Sequence, residues 1–251
     1  MIRIILLLAV WLTVHSQSTL AEKPIRLMAN ISPPYVDQNL PNQGLALELV
    51  ENAFSRTDYS PEFTIERWSR AMEGVRVGLY DALATAWRTE ERDQDFLFSE
   101  PYLDSRLVIL KLRASPGYYR SLESLAGRRL GVRADYAYGI DFSAISGLRL
   151  VEENHMIQNL LNLLNGKVDF VIGDLRTINL QLTEFLADKK TKFEVVNIDL
   201  PTRARHVAAG RSVQGHEQLI AEFNRALAKT RKDGSYDAII KKWDERYPGI
   251  K

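Results

Sequence analysis

From residue 22 onward, short apolar runs alternate with longer amphipathic stretches, and this alternation constrains the possible fold more than any other feature of the sequence. Residues 25–29, 80–86 and 168–173 are apolar runs of strand length, whereas residues 216–231 repeat their apolar positions with a helical period. Strands and helices that alternate along a chain are typical of α/β proteins. The sequence therefore predicts an α/β fold rather than an all-β or all-helical one.

A break at residues 114–119, rich in Ser, Pro and Gly, divides this alternation into two units. After the break we predict a strand at residues 129–133, a helix that begins at Tyr136 and continues to residue 144, and a second helix over residues 155–164. The second unit thus repeats the strand and helix order of the first.

The first 21 residues differ in composition from the rest of the chain. Arg3 is their only Lys, Arg, Asp or Glu, an apolar run of 11 residues occupies positions 4–14, and a polar segment then leads to the small residue Ala21. This plan is that of a secretory signal peptide cleaved between Ala21 and Glu22. The run is shorter than the roughly 20 residues that cross a bilayer. An uncleaved amphipathic or buried helix is the alternative.

Composition narrows the protein class further. The chain has no cysteine, so it relies on no disulfide and offers no thiol for a lipid anchor, which favours a soluble protein of a Gram-negative periplasm. The formal net charge is +1, which gives no basic field for nucleic acid or an anionic membrane. The histidines have no metal-ligand spacing, and there is no Gly-rich phosphate loop or nucleophile elbow. We therefore expect no metal and no cofactor.

The stretch at residues 81–102 carries the strongest candidate for a binding residue. An apolar run leads into a polar turn that holds Arg92, and aromatic residues follow. A guanidinium is planar, permanently charged and able to donate two parallel hydrogen bonds, which suits a carboxylate. The alternative is that Arg92 balances the nearby acidic residues on a solvated turn.

Eight motifs in order resemble the periplasmic solute-binding proteins of polar amino acid transporters, family 3. They cover nearly all of the chain after the predicted signal peptide and are PPY at 33–35, residues 44–48, YDALAT at 80–85, TEER at 89–92, FSEPY at 98–102, SLAGRRLGV at 124–132, GKVDFVIGD at 166–174 and KDGSYDAIIKKW at 232–243. The resemblance implies a two-lobed α/β fold of type II, in which each lobe is a mixed sheet flanked by helices and two hinge strands join the lobes.

The resemblance also implies a domain division and a set of partners. The signal peptide would span 1–21, the first lobe 22–112 together with 205–251, and the second lobe 113–204. A small ligand with a carboxylate, most simply an amino acid or derivative, would bind a monomer in the cleft between the lobes, and hinge closure would present it to an inner-membrane ABC permease.

Site residues follow from the matching positions. Arg92 falls on the family's carboxylate-binding arginine, and Asp174 falls on the acidic residue for the ligand's ammonium group; the alternative for Asp174 is a helix cap. Tyr35 and Trp68 fall where the family places an aromatic ring against the ligand, with core packing as the alternative. Thr85 falls on a carboxylate contact, or is an inward strand hydroxyl.

Two departures from the family lie near these positions. Trp87 and Arg88 stand where the family usually has a small residue with a hydroxyl group. Their bulk or charge could narrow the pocket or add a second anion contact. In the second lobe Asp135, Tyr136 and Tyr138 stand at the usual hydroxyl-bearing turn, where a helix amino terminus could still offer amides. The predicted pocket is therefore unusually aromatic.

Two other functions use the same fold. A secreted dehydratase would need a general acid near its substrate, and Asp135 and Glu48 are the candidates. A stand-alone sensor for a membrane signalling protein would share the ligand site and differ only in its partner. The regulatory half of a lytic transglycosylase would need a further catalytic domain.

Overall fold

The computed structural model describes residues 23–249 and places eleven strands and six α-helices in them. The strands are β1 (Lys23–Asn30), β2 (Tyr59–Glu66), β3 (Ala82–Trp87), β4 (Phe96–Phe98), β5 (Leu103–Ser105), β6 (Leu107–Leu112), β7 (Arg129–Arg133), β8 (Arg149–Glu153), β9 (Phe170–Asp174), β10 (Phe193–Val196) and β11 (Arg203–Gly210). The helices are α1 (Leu45–Phe54), α2 (Trp68–Arg76), α3 (Met156–Leu164), α4 (Leu175–Phe185), α5 (His216–Lys232) and α6 (Ser235–Arg246).

The first sheet has the order β2-β1-β3-β11-β4, with β5 also paired to β11. Strand β1 runs parallel to β2 and β3, whereas β11 runs antiparallel to β3, β4 and β5, so the sheet is mixed. Every residue of β3 is buried, which explains its nearly continuous apolar sequence. Helices α1, α5 and α6 pack on one face and α2 on the other.

The second sheet has the order β10-β6-β9-β7-β8 and is also mixed. Strand β7 runs parallel to β8 and to β9, whereas β6 runs antiparallel to β9 and to β10. Helices α3 and α4 cover one face, and the loop segment after β7 covers the other. The predicted α/β class is confirmed by these two sheets.

Two connections cross between the sheets, and they lie side by side. The chain leaves the first sheet from β5 into β6 and returns from β10 into β11. Strands β5 and β11 pair antiparallel, with Ser105 opposite Arg203 and Leu103 opposite Arg205. The outgoing and returning segments are therefore hydrogen-bonded to each other where they enter the first sheet.

The helix predicted at residues 136–144 is wrong. This segment forms a loop that ends in a short 3₁₀ turn at Phe142–Ala144, capped by Asp141. Tyr136, Tyr138, Ile140 and Phe142 all pack on the second-sheet core, and this spacing of every second residue suits extended backbone and not a helix. The helical amino terminus expected beside Asp135 is consequently absent.

Three short strands, β4, β5 and β8, were not predicted from the sequence. The predicted signal peptide lies outside the described residues. Within residues 23–249, none of the helices combines the length and the apolar character that a bilayer crossing requires.

Candidate functional site

A cleft of about 630 Å³ opens between the two sheets. Its walls come from both sides, because the ends of β1 and β3 and the start of α2 face the loop after β7 and the start of α3. The residues that line the cleft include, from the first-sheet side, Ser32, Glu66, Arg67, Trp68, Thr85, Trp87, Arg92 and Arg205, and from the second-sheet side, Arg133, Asp135, Tyr136 and His155.

Arg92 lies in the cleft and is held by its own local turn. Its backbone N–H donates to Thr89 Oγ1 at 3.3 Å, and its Nη1 donates to the carbonyl of Trp87 at 2.7 Å. The guanidinium carbon lies 4.5 Å from the ring centre of Trp68, the first residue of α2. Burial lowers the pKa of Arg92, because desolvation disfavours its charged form. Three predicted site residues thus come together here.

Thr85 also lines the cleft, bonded to an arginine that sequence reasoning missed. Arg205 Nη1 donates to Thr85 Oγ1 at 3.1 Å, and its Nε donates to Ser105 Oγ at 3.1 Å. The guanidinium carbon is 3.6 Å from the ring centre of Tyr35, and the residue is only 5% exposed. Its only sequence signal was a charge close to the apolar run at residues 207–209 of β11, where a buried charge would need a partner.

Trp87 and Tyr136 join the two sides of the cleft. Their rings meet edge to face at 5.1 Å, although Trp87 ends a strand of the first sheet and Tyr136 belongs to the second. Arg133, another residue that sequence reasoning missed, stacks over Tyr136 at 4.3 Å and donates from Nη1 to its hydroxyl at 2.6 Å. The indole N–H of Trp87 is buried without a hydrogen-bond partner.

Asp174 and Tyr35 are buried together, but neither lines the cleft. Asp174 Oδ1 accepts hydrogen bonds from the Tyr35 hydroxyl at 2.7 Å and from the backbone N–H of Thr177 at 3.0 Å. Asp174 thereby caps α4, which was the alternative reading of this residue. Burial, reinforced by the negative charge of Asp174, raises the pKa of Tyr35 well above its usual value. The pair ties the two sheets together.

The structure places Arg88 and Tyr138 away from the cleft as well. Arg88 is turned to solvent and pairs with Asp93 at 2.8 Å, because the acidic turn beyond it offers a nearer partner than the cleft. Tyr138 is 4% exposed and packs in the second-sheet core, where its hydroxyl accepts from the backbone N–H of Arg133 at 2.9 Å. Desolvation raises the pKa of Tyr138.

The two candidate general acids, Asp135 and Glu48, lie in different parts of the structure. Asp135 lines the cleft on an exposed turn with φ of 60°. Glu48 lies on α1 and is bound from α6 by the indole N–H of Trp243 at 2.7 Å and by Lys242, so it serves helix packing. Among residues 23–249, no three His, Asp or Glu side chains gather into a group that could hold a metal ion.

Comparison with known proteins gives one family. The model described as bacterial extracellular solute-binding proteins, family 3, matches residues 26–245. A putative ABC transporter arginine-binding protein 2 from Escherichia coli (strain K12) is 26% identical, over 96% of this chain and 98% of its own length. A probable histidine-binding protein from Campylobacter jejuni is 23% identical, over 92% and 90% respectively.

A solved structure of an ancestral arginine-binding protein bound to arginine superposes with a TM-score of 0.74. It is 21% identical and covers 89% of this chain and 99% of its own. At this identity the likeness concerns the fold, and it confirms the predicted two-lobed binding-protein architecture.

Proposed function

This chain belongs to the bacterial extracellular solute-binding proteins, family 3, and from that premise we propose that it captures a small carboxylate-bearing ligand, an amino acid or close derivative, in the cleft between its two sheets. Two of its relatives are named as binding proteins for arginine and for histidine, and the name of the first also places it in an ABC transporter. The ligand itself is assigned here from the cleft.

Arg92 is the observation that carries the proposal. It is a partly buried guanidinium in a cleft, stacked on Trp68, and none of the ion pairs in the described part of the chain includes it. An uncompensated buried cation is costly unless an anion joins it. A ligand carboxylate supplies that anion, and Thr85, Trp87 and Tyr136 supply the adjoining wall.

A thermal-shift panel of amino acids and small carboxylates tests the proposal. We expect at least one compound to raise the melting temperature, since a ligand that binds only the folded state stabilises it by mass action. Arg92→Ala should weaken the affinity for that compound about 10- to 100-fold, the effect of losing charged hydrogen bonds.

Arg88→Ala is the matched control, because it removes an arginine four positions away that faces Asp93 and solvent. Its affinity should stay within about twofold of the unmodified protein, as expected for an exposed ion pair. A panel without any hit, or an Arg92→Ala variant with unchanged affinity, would disprove the assigned site.

We further propose that the protein works in the periplasm as a monomer and delivers its ligand to an inner-membrane ABC permease. The relatives' description as ABC transporter binding proteins supports this role. A pull-down with the permease from the same genome, with and without the ligand found in the panel, would test it.

We propose that the chain is a binding protein and not an enzyme. One of the two candidate acids, Glu48, is engaged in the packing of α1 against α6, while Asp135 remains in the cleft. Incubation with cyclic amino acid precursors followed by mass spectrometry should show no loss of water. Turnover that disappears in Asp135→Asn would instead establish a dehydratase.

A further inference from the structure

Guanidinium groups without a carboxylate partner line the cleft. Arg92, Arg133 and Arg205 all line it, and no ion pair in the described part of the chain includes any of the three. Some arginines elsewhere in the described chain do pair with carboxylates, as Arg129 does with Asp169 at 2.8 Å. Three guanidiniums facing one cavity exceed what a single carboxylate of a zwitterion would balance.

Acidic side chains on the cleft lie only at its exposed parts. Glu66 is 38% exposed at its side chain, accepts from the backbone N–H of Arg67 and lies 3.6 Å from Arg70. Asp135 is exposed on its turn. The buried carboxylate of Asp174 lies outside the cleft lining; its Oδ1 accepts two hydrogen bonds, and its Oδ2 is buried without a partner. The cleft interior therefore offers donors far more than acceptors.

The three guanidiniums are arranged around one aromatic wall. Arg205 lies 5.5 Å from the ring centre of Trp87, Arg92 bonds the carbonyl of the same residue, and Arg133 stacks on Tyr136, which contacts Trp87. Each guanidinium keeps unused donors, since Arg92 and Arg133 each spend one N–H on the bonds described and Arg205 spends two of its five.

Buried polar atoms without partners add a second, independent observation. The indole N–H of Trp87, which is 7% exposed, and Nε of Arg133 are both buried and unpaired, and both residues line the cleft. Buried donors of this kind are rarely left unpaired unless a ligand or water completes them. Their positions on the Trp87 and Tyr136 wall mark a second place for an anion beyond Arg92.

We propose that the ligand is a small dicarboxylate, with one carboxylate on Arg92 and the second received by Arg133, Arg205 and the indole N–H of Trp87. This inference rests on the proposed function and specifies its substrate class. A ligand with a cationic side chain would meet the excess positive charge, so arginine should bind more weakly than acidic compounds of similar size.

Pairs of compounds that differ by one charge test the dicarboxylate directly. Isothermal titration should show L-glutamate bound about tenfold or more tightly than L-glutamine, or succinate bound more tightly than its monoamide by a similar factor. The first result identifies an amino dicarboxylate and the second a plain dicarboxylate. Equal or tighter binding of the amide, or of arginine, would overturn the inference and leave the proposed function standing. If none of these compounds binds, the inference fails, and the proposed function fails with it only if the whole panel also gives no hit.

Arg133→Gln assigns the second carboxylate to its residue. The variant should reduce the preference for the dicarboxylate over its amide by about tenfold, while affinity for the amide changes little. Arg149→Gln is the control, because Arg149 is exposed on the neighbouring strand β8 and lies outside the cleft lining. If Arg133→Gln keeps the full preference, or if both variants lose it equally, Arg133 does not receive the second carboxylate.

Discussion

Arg88 and Arg92 lie four positions apart in one polar turn, yet their guanidinium groups have different surroundings. The structure places Arg92 in the cleft and Arg88 against Asp93. The direction of each side chain depends on which acceptor lies nearest after folding, namely the carbonyl of Trp87 for Arg92 and the carboxylate of Asp93 for Arg88. A sequence does not contain those distances.

Tyr35 and Asp174 provide a stability prediction at the same scale. Tyr35→Phe removes the hydroxyl that donates to Asp174 and leaves a buried carboxylate with one fewer donor. We expect the free energy of unfolding to fall by about 1–3 kcal/mol, the usual effect of an unsatisfied buried polar group. Urea denaturation measures it.

Tyr118→Phe controls for the loss of a tyrosine hydroxyl, because Tyr118 is 76% exposed and water can replace its contact. That variant should change the unfolding free energy by less than about 0.5 kcal/mol. Equal effects of the two substitutions would show that the bond to Asp174 contributes nothing particular.

Sequence patterns placed the regular elements better than the site that lies between them. The apolar runs at β3 and β9 predicted strands because both are buried on two faces. The segment at residues 136–144 was misread as a helix, since its aromatic residues suit either structure until the core they pack against is known. Arg133 and Arg205 were missed because a residue of a strand lines a cleft only where two sheets face each other. The sequence does not show which parts of the two sheets do so.

The junction of α5 and α6 carries a pH prediction. Asp233 accepts from the backbone N–H of Ser235 at 2.9 Å and pairs with Arg56 at the end of α1 at 2.7 Å. Hydrogen bonds from Ser235, with Arg56 adding its charge, lower the pKa of Asp233 to about 2. Because this value is below that of an unfolded aspartate, the stabilisation is present above about pH 4 and is lost as the pH falls toward 2.

Asp233→Asn should therefore destabilise the protein at pH 6 and have little effect at pH 2. Urea denaturation at several pH values measures the difference between the variant and the unmodified chain. Asp199→Asn is the control, since Asp199 is exposed on the segment that returns to the first sheet. A difference that stays constant from pH 6 to 2 would contradict the role given to the Asp233 charge.

At the scale of the whole molecule, the side chain of Trp87 lies at the contact between the two sheets and can report on that contact. Trp87 belongs to the first sheet but packs in the core of the second, and it is 7% exposed in this arrangement. If hinge motion separates the sheets in the empty protein, Trp87 leaves Tyr136 and meets solvent. Ligand binding should then protect it from acrylamide quenching.

Trp68 is replaced first so that the emission reports on Trp87, which meets both the ligand and the core of the second sheet when the cleft closes. In a Trp68→Phe background, the ligand found in the panel should lower the quenching constant of the emission. Adding Trp87→Phe should abolish the change, since the remaining described tryptophan, Trp243, is buried in the first-sheet core. Quenching that ignores the ligand in the single variant would argue against closure.

The pairing of β5 with β11 at Ser105 and Arg203 sets how such a motion can proceed. Two segments that are hydrogen-bonded to each other bend and twist together more readily than they slide past each other. If the sheets move apart, we expect Arg205, which lies on β11 at this pairing and lines the cleft, to move least. Arg92 and Arg133 line opposite sides of the cleft and would move farthest.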